Sequence, residues 1–317
     1  MKAVWAIGHI ATDIERTQAV DFIRELGFNT LITGSATPEM VAHARKNNIH
    51  IIAVITPNVN DAFVQQHPQS LQKMRDFEYK LLNALQGQSW DMQTAGTFRW
   101  HPILQSGKTL CFERPESQIE LKRRVEQALA LADGVALDGF GFLNHYACFC
   151  NHCQSIRTQM PTAHPDQSEY DILTHMSEQT LINIHRQLYD HAKTINSNAI
   201  VTNHVWPPFR PNEYIGHKLK LDYCTQTISW FYPPFWPIER IEMEAAEMKR
   251  LENRNNNQFV PFIGINSEPD LVRPSEQIAK ELDIALKYGN NSLVVSRLTT
   301  LQQHPKIASV VKTALKK

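Results

Sequence analysis

Residues 3–34 read AVWAIGHIATDIERTQAVDFIRELGFNTLITG, and this stretch decides the fold. The apolar run Ala3-Val4-Trp5-Ala6-Ile7 stops at Gly8-His9 and gives way to an amphipathic segment at about 13–26. Thr12 or Asp13 suits the N-cap of that helix, and Gly27 suits its C-terminal end. A second run, Thr30-Leu31-Ile32-Thr33, stops at Gly34-Ser35, and a helix begins near Pro38, a residue fitted to a first helical turn. A third run occupies 50–55 and closes at Thr56-Pro57. A repeat of strand, helix, strand every 25 residues or so requires crossover connections, and so predicts parallel strands.

The same unit recurs to the end of the chain. Residues 58–132 predict a helix near 68–86, an irregular aromatic stretch (Trp90, Phe98, Trp100, His101) and a helix near 116–132. Strand four is Gly134-Val135-Ala136-Leu137-Asp138. A helix near 168–195 leads to strand five at 199–204. Strand six is expected at 219–227, and its helix at 237–253 aligns Ile238, Ile241, Ala245, Met248 and Leu251 on one face. Strand seven at 259–265, a helix at 275–288, strand eight at 292–295 and a helix at 304–316 complete the series. Eight strands, each followed by a helix, predict an α/β fold, a (β/α)8 TIM barrel. It forms one barrel domain over 1–317, with an enlarged third crossover and strand-four loop and insertions at about 58–115 and 143–168. A doubly wound nucleotide-binding sheet needs a glycine-rich turn, and neither GxGxxG nor GxxxxGK[ST] occurs.

The 317 residues carry 32 Lys plus Arg against 32 Asp plus Glu, which leaves no basic surplus for a nucleic-acid partner. No apolar run approaches the roughly 20 residues that span a bilayer, so no membrane partner is expected. The first residues read as strand and helix, not as a leader, which predicts a cytoplasmic protein. Five cysteines are too few and too clustered for a disulfide framework.

Three of those cysteines, Cys148, Cys150 and Cys153, lie within CFCNHC. Thiolates so spaced converge on one tetrahedral ion, and soft sulfur selects zinc. Cys111, His152, His145 and Cys224 are candidates for the fourth ligand. Cys111 precedes the helix that feeds strand four, so it can sit at the same barrel end as the loop after that strand. A four-cysteine site fills the tetrahedron and is structural.

The segment Asp138-Gly139-Phe140-Gly141-Phe142, followed by Tyr146, Cys148, Cys150 and Cys153, resembles the strand-four loop of glycoside hydrolase family 42 β-galactosidases and of related hypothetical glycosidase-like barrels. In that family an earlier cysteine and a CxCxxC run hold a structural zinc just after the strand that bears the acid/base carboxylate. Lys108-Thr109-Leu110-Cys111 resembles the place of the earlier cysteine. The resemblance implies zinc on Cys111, Cys148, Cys150 and Cys153, and a carbohydrate substrate. Where the family carries Asn-Glu at the end of strand four, this chain carries Leu137-Asp138.

Glycosidic cleavage commonly uses two carboxyl groups facing each other across one sugar. Asp138 ends strand four and Glu268 follows strand seven, positions that also match the placement in retaining family 42-type barrels. Asp270 and Glu213 are alternates for the second group. The competing expectation is that Asp138 organises the cysteine turn and Glu268 caps the next helix. His9, Asn203, His204, Asn266 and Arg297 also lie at strand ends, where a barrel binds substrate. Trp206 in VWPPF and Trp230 in SWFYPPFW stand on proline-stiffened loops and offer flat faces to a sugar or to a second copy of the chain in a homo-oligomer. Strand one has no HxH pair, and no GxSxG is present, which argues against an amidohydrolase metal centre and a serine hydrolase. The expected function is glycoside hydrolysis on a carbohydrate or other polar small molecule. The alternatives are a non-hydrolytic sugar- or metabolite-binding barrel and a sugar isomerase or lyase.

Overall fold

The computed structural model describes residues 1–8, 10–76, 107–142, 147–160, 166–205, 215–231, 233, 235–252 and 257–316. Eight parallel strands close into a barrel in chain order. β1 (Lys2–Ala6), α1 (Asp13–Leu26), β2 (Thr30–Thr33), α2 (Pro38–Lys46) and β3 (His50–Ile55) realise the opening repeat. The short α3 (Asp61–Gln66) and then α4 (Pro115–Leu129) lead to β4 (Gly134–Asp138). After β4 come α5 (Asn151–Gln159), the 27-residue α6 (Glu169–Ile195) and β5 (Ile200–His204). β6 (Tyr223–Ser229), α7 (Ile238–Leu251), β7 (Gln258–Gly264), α8 (Ser275–Tyr288) and β8 (Leu293–Ser296) close the cylinder, and α9 (Leu298–Gln303) and α10 (Pro305–Leu315) follow. No helix among the described residues is long and apolar enough to cross a membrane.

Strand residues alternate between two destinations, as the pleat demands. Ala3, Trp5, Ile32, Ile52, Ala136, Val260, Phe262 and Val294 pack together inside the barrel. Their neighbours Val4, Leu31, Ile51, Ile263 and Val295 join one outer cluster under the helices, and Val135, Leu137 and Val201 join another. Local chemistry fixes the strand starts. Asn29, Asp133 and Asp222 each sit one residue before an even-numbered strand. Each side chain accepts the backbone N–H of a residue in the preceding strand: Lys2 at 3.0 Å, Ile51 at 2.9 Å and Val201 at 2.8 Å. Gly134 is required where β4 meets β5, because a Cβ there would stand 2.2 Å from the Ile200 carbonyl oxygen.

The structure corrects two expectations. Strand six begins at Tyr223, not 219, and runs to Ser229. Leu219 and Leu221 are buried, but they pack in the outer cluster, below the sheet. The helix expected near 68–86 does not begin there. Asn60 caps α3 through Phe63 N–H, a single 3₁₀ turn covers Pro68–Ser70, and Leu71 then bridges antiparallel to Leu110. The aromatic stretch with Trp90, Phe98, Trp100 and His101 lies outside the described residues, as does most of the enlarged third crossover.

One interaction beneath the β6–β7 loops has no counterpart in the sequence reading. Arg273 and Glu281 form a fully buried bidentate pair, Nε to Oε1 at 2.9 Å and Nη2 to Oε2 at 2.8 Å. Nη1 donates to the Trp230 carbonyl and Nη2 to that of Gly264, both at 2.7 Å, while Ser229 and Gln277 donate to Glu281. All lone pairs and protons of consequence are used, the condition under which a buried ion pair is tolerated. Arg273→Met leaves the buried Glu281 without a counter-charge, and should lower unfolding free energy by about 3–5 kcal/mol in a urea titration. Adding Glu281→Leu should restore most of that loss.

Candidate functional site

Asp138 is the last residue of β4 and continues its interior-facing series, Gly134 and Ala136. It lies beside His204, the last residue of β5, with Oδ1 3.3 Å from Nδ1. His204 Nε2 contacts the Thr227 hydroxyl on β6 at 3.1 Å. The imidazole is buried between Trp5, at 5.2 Å, and Phe262, on which it stacks at 4.0 Å. Burial pushes its pKa down, with Asp138 opposing, so the ring is held neutral. About a fifth of the Asp138 side chain remains exposed (21%), while Oδ1 is buried with His204 Nδ1 as its neighbour at 3.3 Å and no hydrogen-bond donor in good geometry among the described residues. Buried carboxylate oxygens are normally well paired, so one held only by this contact at a strand end marks a position shaped for something other than stability.

The floor of the mouth is aromatic. Phe231 meets Phe262 edge-on at 5.7 Å and occupies the space a side chain at position 264 would fill; a Cβ on Gly264 would stand 2.7 Å from the ring. Trp230 is also buried, edge-on to Phe231 at 5.1 Å, so it supports the floor and does not offer an open face. Arg297, just after β8, lies over Phe231 with Cζ 5.6 Å from the ring centre. Asn266 is buried; its Oδ1 accepts the Glu268 N–H at 2.9 Å, and its Nδ2 donates to the Phe231 carbonyl at 3.4 Å. Glu268 itself is exposed. Asn203 does not join this group. Strand alternation turns it outward, where its Oδ1 accepts the Thr225 N–H at 3.1 Å and mends the junction of β5 with β6. His9, Trp206, Glu213 and His145 fall outside the described residues.

The cysteine cluster stands beside this mouth. Cys111, Cys148, Cys150 and Cys153 are all buried and their sulfur atoms lie within 4.8 Å of one another. Cys111 Sγ is 3.8 Å from Cys150 and 3.4 Å from Cys153, far beyond a disulfide bond. Tetrahedral bonds of about 2.3 Å would set sulfurs about 3.8 Å apart, so the four fit a metal ion. Backbone N–H groups of Lys73 and Cys150 point at Cys148 Sγ, each at 3.4 Å. Hydrogen bonding with Cys111 holds the Cys148 and Cys150 thiols below their ordinary range; Cys153, against Cys111, and Cys111, against Cys148, are pushed far above it. Such a crowd cannot ionise fully without a cation. His152 is not part of it, because its Nε2 contacts the Glu113 carbonyl at 3.1 Å. Cys224 is buried elsewhere, where burial pushes its thiol up to about 12. The cluster ties the segment before α4 to the loop after β4. Gln72 reinforces the tie by donating to the carbonyls of Leu110 at 3.1 Å and Gly141 at 3.0 Å.

No protein-family model matches the chain, and no curated protein resembles it in sequence. Solved structures share its architecture. The PgaB (BpsB) glycoside hydrolase domain from Bordetella bronchiseptica superimposes with a TM-score of 0.68 at 11% identity, over 99% of this chain and 98% of that one. The fold is one that glycoside hydrolases use. A polyextremophilic β-galactosidase from the Antarctic haloarchaeon Halorubrum lacusprofundi gives 0.67 at 10% identity, over 100% of this chain and 58% of that one. A family 42 β-galactosidase from G. stearothermophilus gives 0.61 at 10% identity, over 99% and 56%. The chain therefore spans nearly all of the first and little more than half of each galactosidase.

Behind β5, a cavity of about 20 Å³ is lined by Leu137, Phe140, Leu181, His185 and Asn203, among others. His185 lies on the buried stripe of α6 with Leu181, Ile184 and Leu188, and that polar residue on an apolar stripe was its only sequence signal. Its Nδ1 donates to the Leu181 carbonyl at 2.7 Å, while its buried Nε2 has no partner. Burial lowers its pKa to about 4. Between that value and the usual 6.5 the unfolded chain binds the proton and the folded one does not, so stability rises with pH through this window. Lowering the pH from 7 to 4 should cost about 3 kcal/mol through this group, with little further loss from it once the pH is well below 4. His185→Leu should flatten that part of the pH dependence in thermal melts; an unchanged slope would refute the assignment.

Proposed function

We propose that this chain is a glycoside hydrolase-like enzyme that cleaves a carbohydrate at the mouth of a single barrel domain, with Asp138 as its principal carboxyl group. The buried Oδ1 of Asp138 at the end of β4, held only by a neutral histidine at 3.3 Å, carries the reading. Likeness to glycoside hydrolase barrels supports it at the level of fold.

Asp138 either donates a proton to the leaving oxygen or attacks the anomeric carbon. His204, clamped by Thr227 and two rings, fixes the carboxyl from one side without adding a charge to the site. Glu268 is the second carboxyl in this reading: it is exposed after β7, and its backbone is positioned by Asn266. His9, Trp206 and Arg297 complete the substrate site, and Trp230 supports its floor. Cys111, Cys148, Cys150 and Cys153 hold a structural zinc; four sulfur ligands leave it no open position, so it supplies folding energy and no chemistry.

On a panel of aryl glycosides, Asp138→Asn should reduce turnover by about 10²–10⁴-fold while the circular dichroism spectrum and metal content stay unchanged. Glu268→Gln should act alike, and the two losses should not add. If Asp138→Asn unfolds the chain or releases metal, Asp138 organises the cysteine loop instead. Sugar binding without turnover by the unaltered chain would establish a non-hydrolytic barrel. Metal analysis should find about one zinc per chain, and chelation should lower the melting temperature; a metal-free chain of full stability would sink the zinc assignment.

A further inference from the structure

We propose that Arg297 receives an oxyanion carried by the substrate, so that the mouth takes an acidic sugar, either a uronate or a sugar phosphate. The inference rests on the carbohydrate reading and adds the substrate's charge to it. In the closed strand order, β8 lies four strands from β4 in either direction, so Arg297 and Asp138 stand on opposite sides of the mouth. A continuous row of rings connects them. His204 beside Asp138 stacks on Phe262, Phe262 meets Phe231, and the Arg297 guanidinium lies over Phe231. The row is buried, so it forms the base beneath the mouth, and a sugar above it with its scissile bond at Asp138 directs its far edge toward Arg297.

The guanidinium lacks the carboxylate partner that several other described arginines have. Arg16, Arg45, Arg123, Arg124, Arg250 and Arg273 each pair with a carboxylate within 3.0 Å. Among the described residues Arg297 has no carboxylate within ion-pair distance, Glu268 on the neighbouring β7 loop included, and its Nε, like those of Arg16 and Arg114, is buried without an acceptor. Phe231 offers it a cation–π contact, which neutralises no charge. Five donors in a planar fork match a carboxylate or a phosphate, whereas a neutral hydroxyl accepts one hydrogen bond and leaves the charge uncompensated.

Isothermal titration of the full chain with glucose, glucuronate and glucose 6-phosphate, and with the galactose counterparts, tests this. One acidic form should bind at least about tenfold more tightly than its neutral parent, with the advantage shrinking as salt is added. Which acidic form wins distinguishes carboxylate from phosphate. Arg297→Gln should bring its affinity down to that of the neutral sugar, and Arg297→Lys should keep part of the preference. Equal affinity for neutral and acidic sugars, or a preference that survives Arg297→Gln, overturns the proposal and leaves the glycosidase reading standing. Failure of every sugar to bind overturns both.

Discussion

In a closed parallel barrel, a strand-end side chain reaches the mouth only if it lies an even number of residues from one that packs in the interior. That parity governs the site of this protein. It admits Asp138 two residues after Ala136, His204 two after Thr202, and Thr227 two after Thr225, and it brings all three into one line across adjacent strands. It excludes Asn203, which is one residue away from His204 and faces the helices. It also explains Gly264, an interior position left without a side chain so that Phe231 can drop in from the loop above.

Two polar assemblies hold the loops that this parity leaves free. On the β6–β7 side, the buried Arg273–Glu281 pair grips the carbonyls of Trp230 and Gly264 from below. On the β3–β4 side, four thiols draw the segment before α4 against the loop after β4. The aromatic floor lies between them and is fixed from both directions. The first assembly is complete with protein groups alone. The second concentrates four ionisable sulfurs in a few ångströms, a density that protein groups do not neutralise.

Much of this was legible in the residues. The runs at 30–33, 50–55 and 134–138 and the helix at 275–288 are bounded by Gly, Pro or Asp signals, and their limits agree with the structure. Strand six was misplaced because Leu219 and Leu221 are apolar and buried, which a hydrophobicity pattern cannot separate from strand burial; Asp222, the acidic residue just before the strand, was the better marker. The cysteine cluster was readable because thiols at CxCxxC spacing have few other uses. The Arg273–Glu281 pair was not, since it joins a loop to a helix and depends on the carbonyls of Trp230, just after β6, and Gly264, at the end of β7. Nor was the outward turn of Asn203, because the exact last interior residue of strand five fixes it.

The junction of β5 with β6 is the thinnest in the cylinder. The other strand pairs share three or more aligned positions, whereas these two align only at Thr202 and Tyr223, with a lone bridge at Val205 and Gln226. Side chains take up the slack, through Asn203 to Thr225, Thr202 to the Tyr223 carbonyl, and His204 to Thr227. A tube laced loosely along one line opens along that line first. Here its upper lip bears His204 and Thr227, the groups that back Asp138. A molecule seated in the mouth against both lips acts as a rivet, and occupancy at one end stiffens the whole wall.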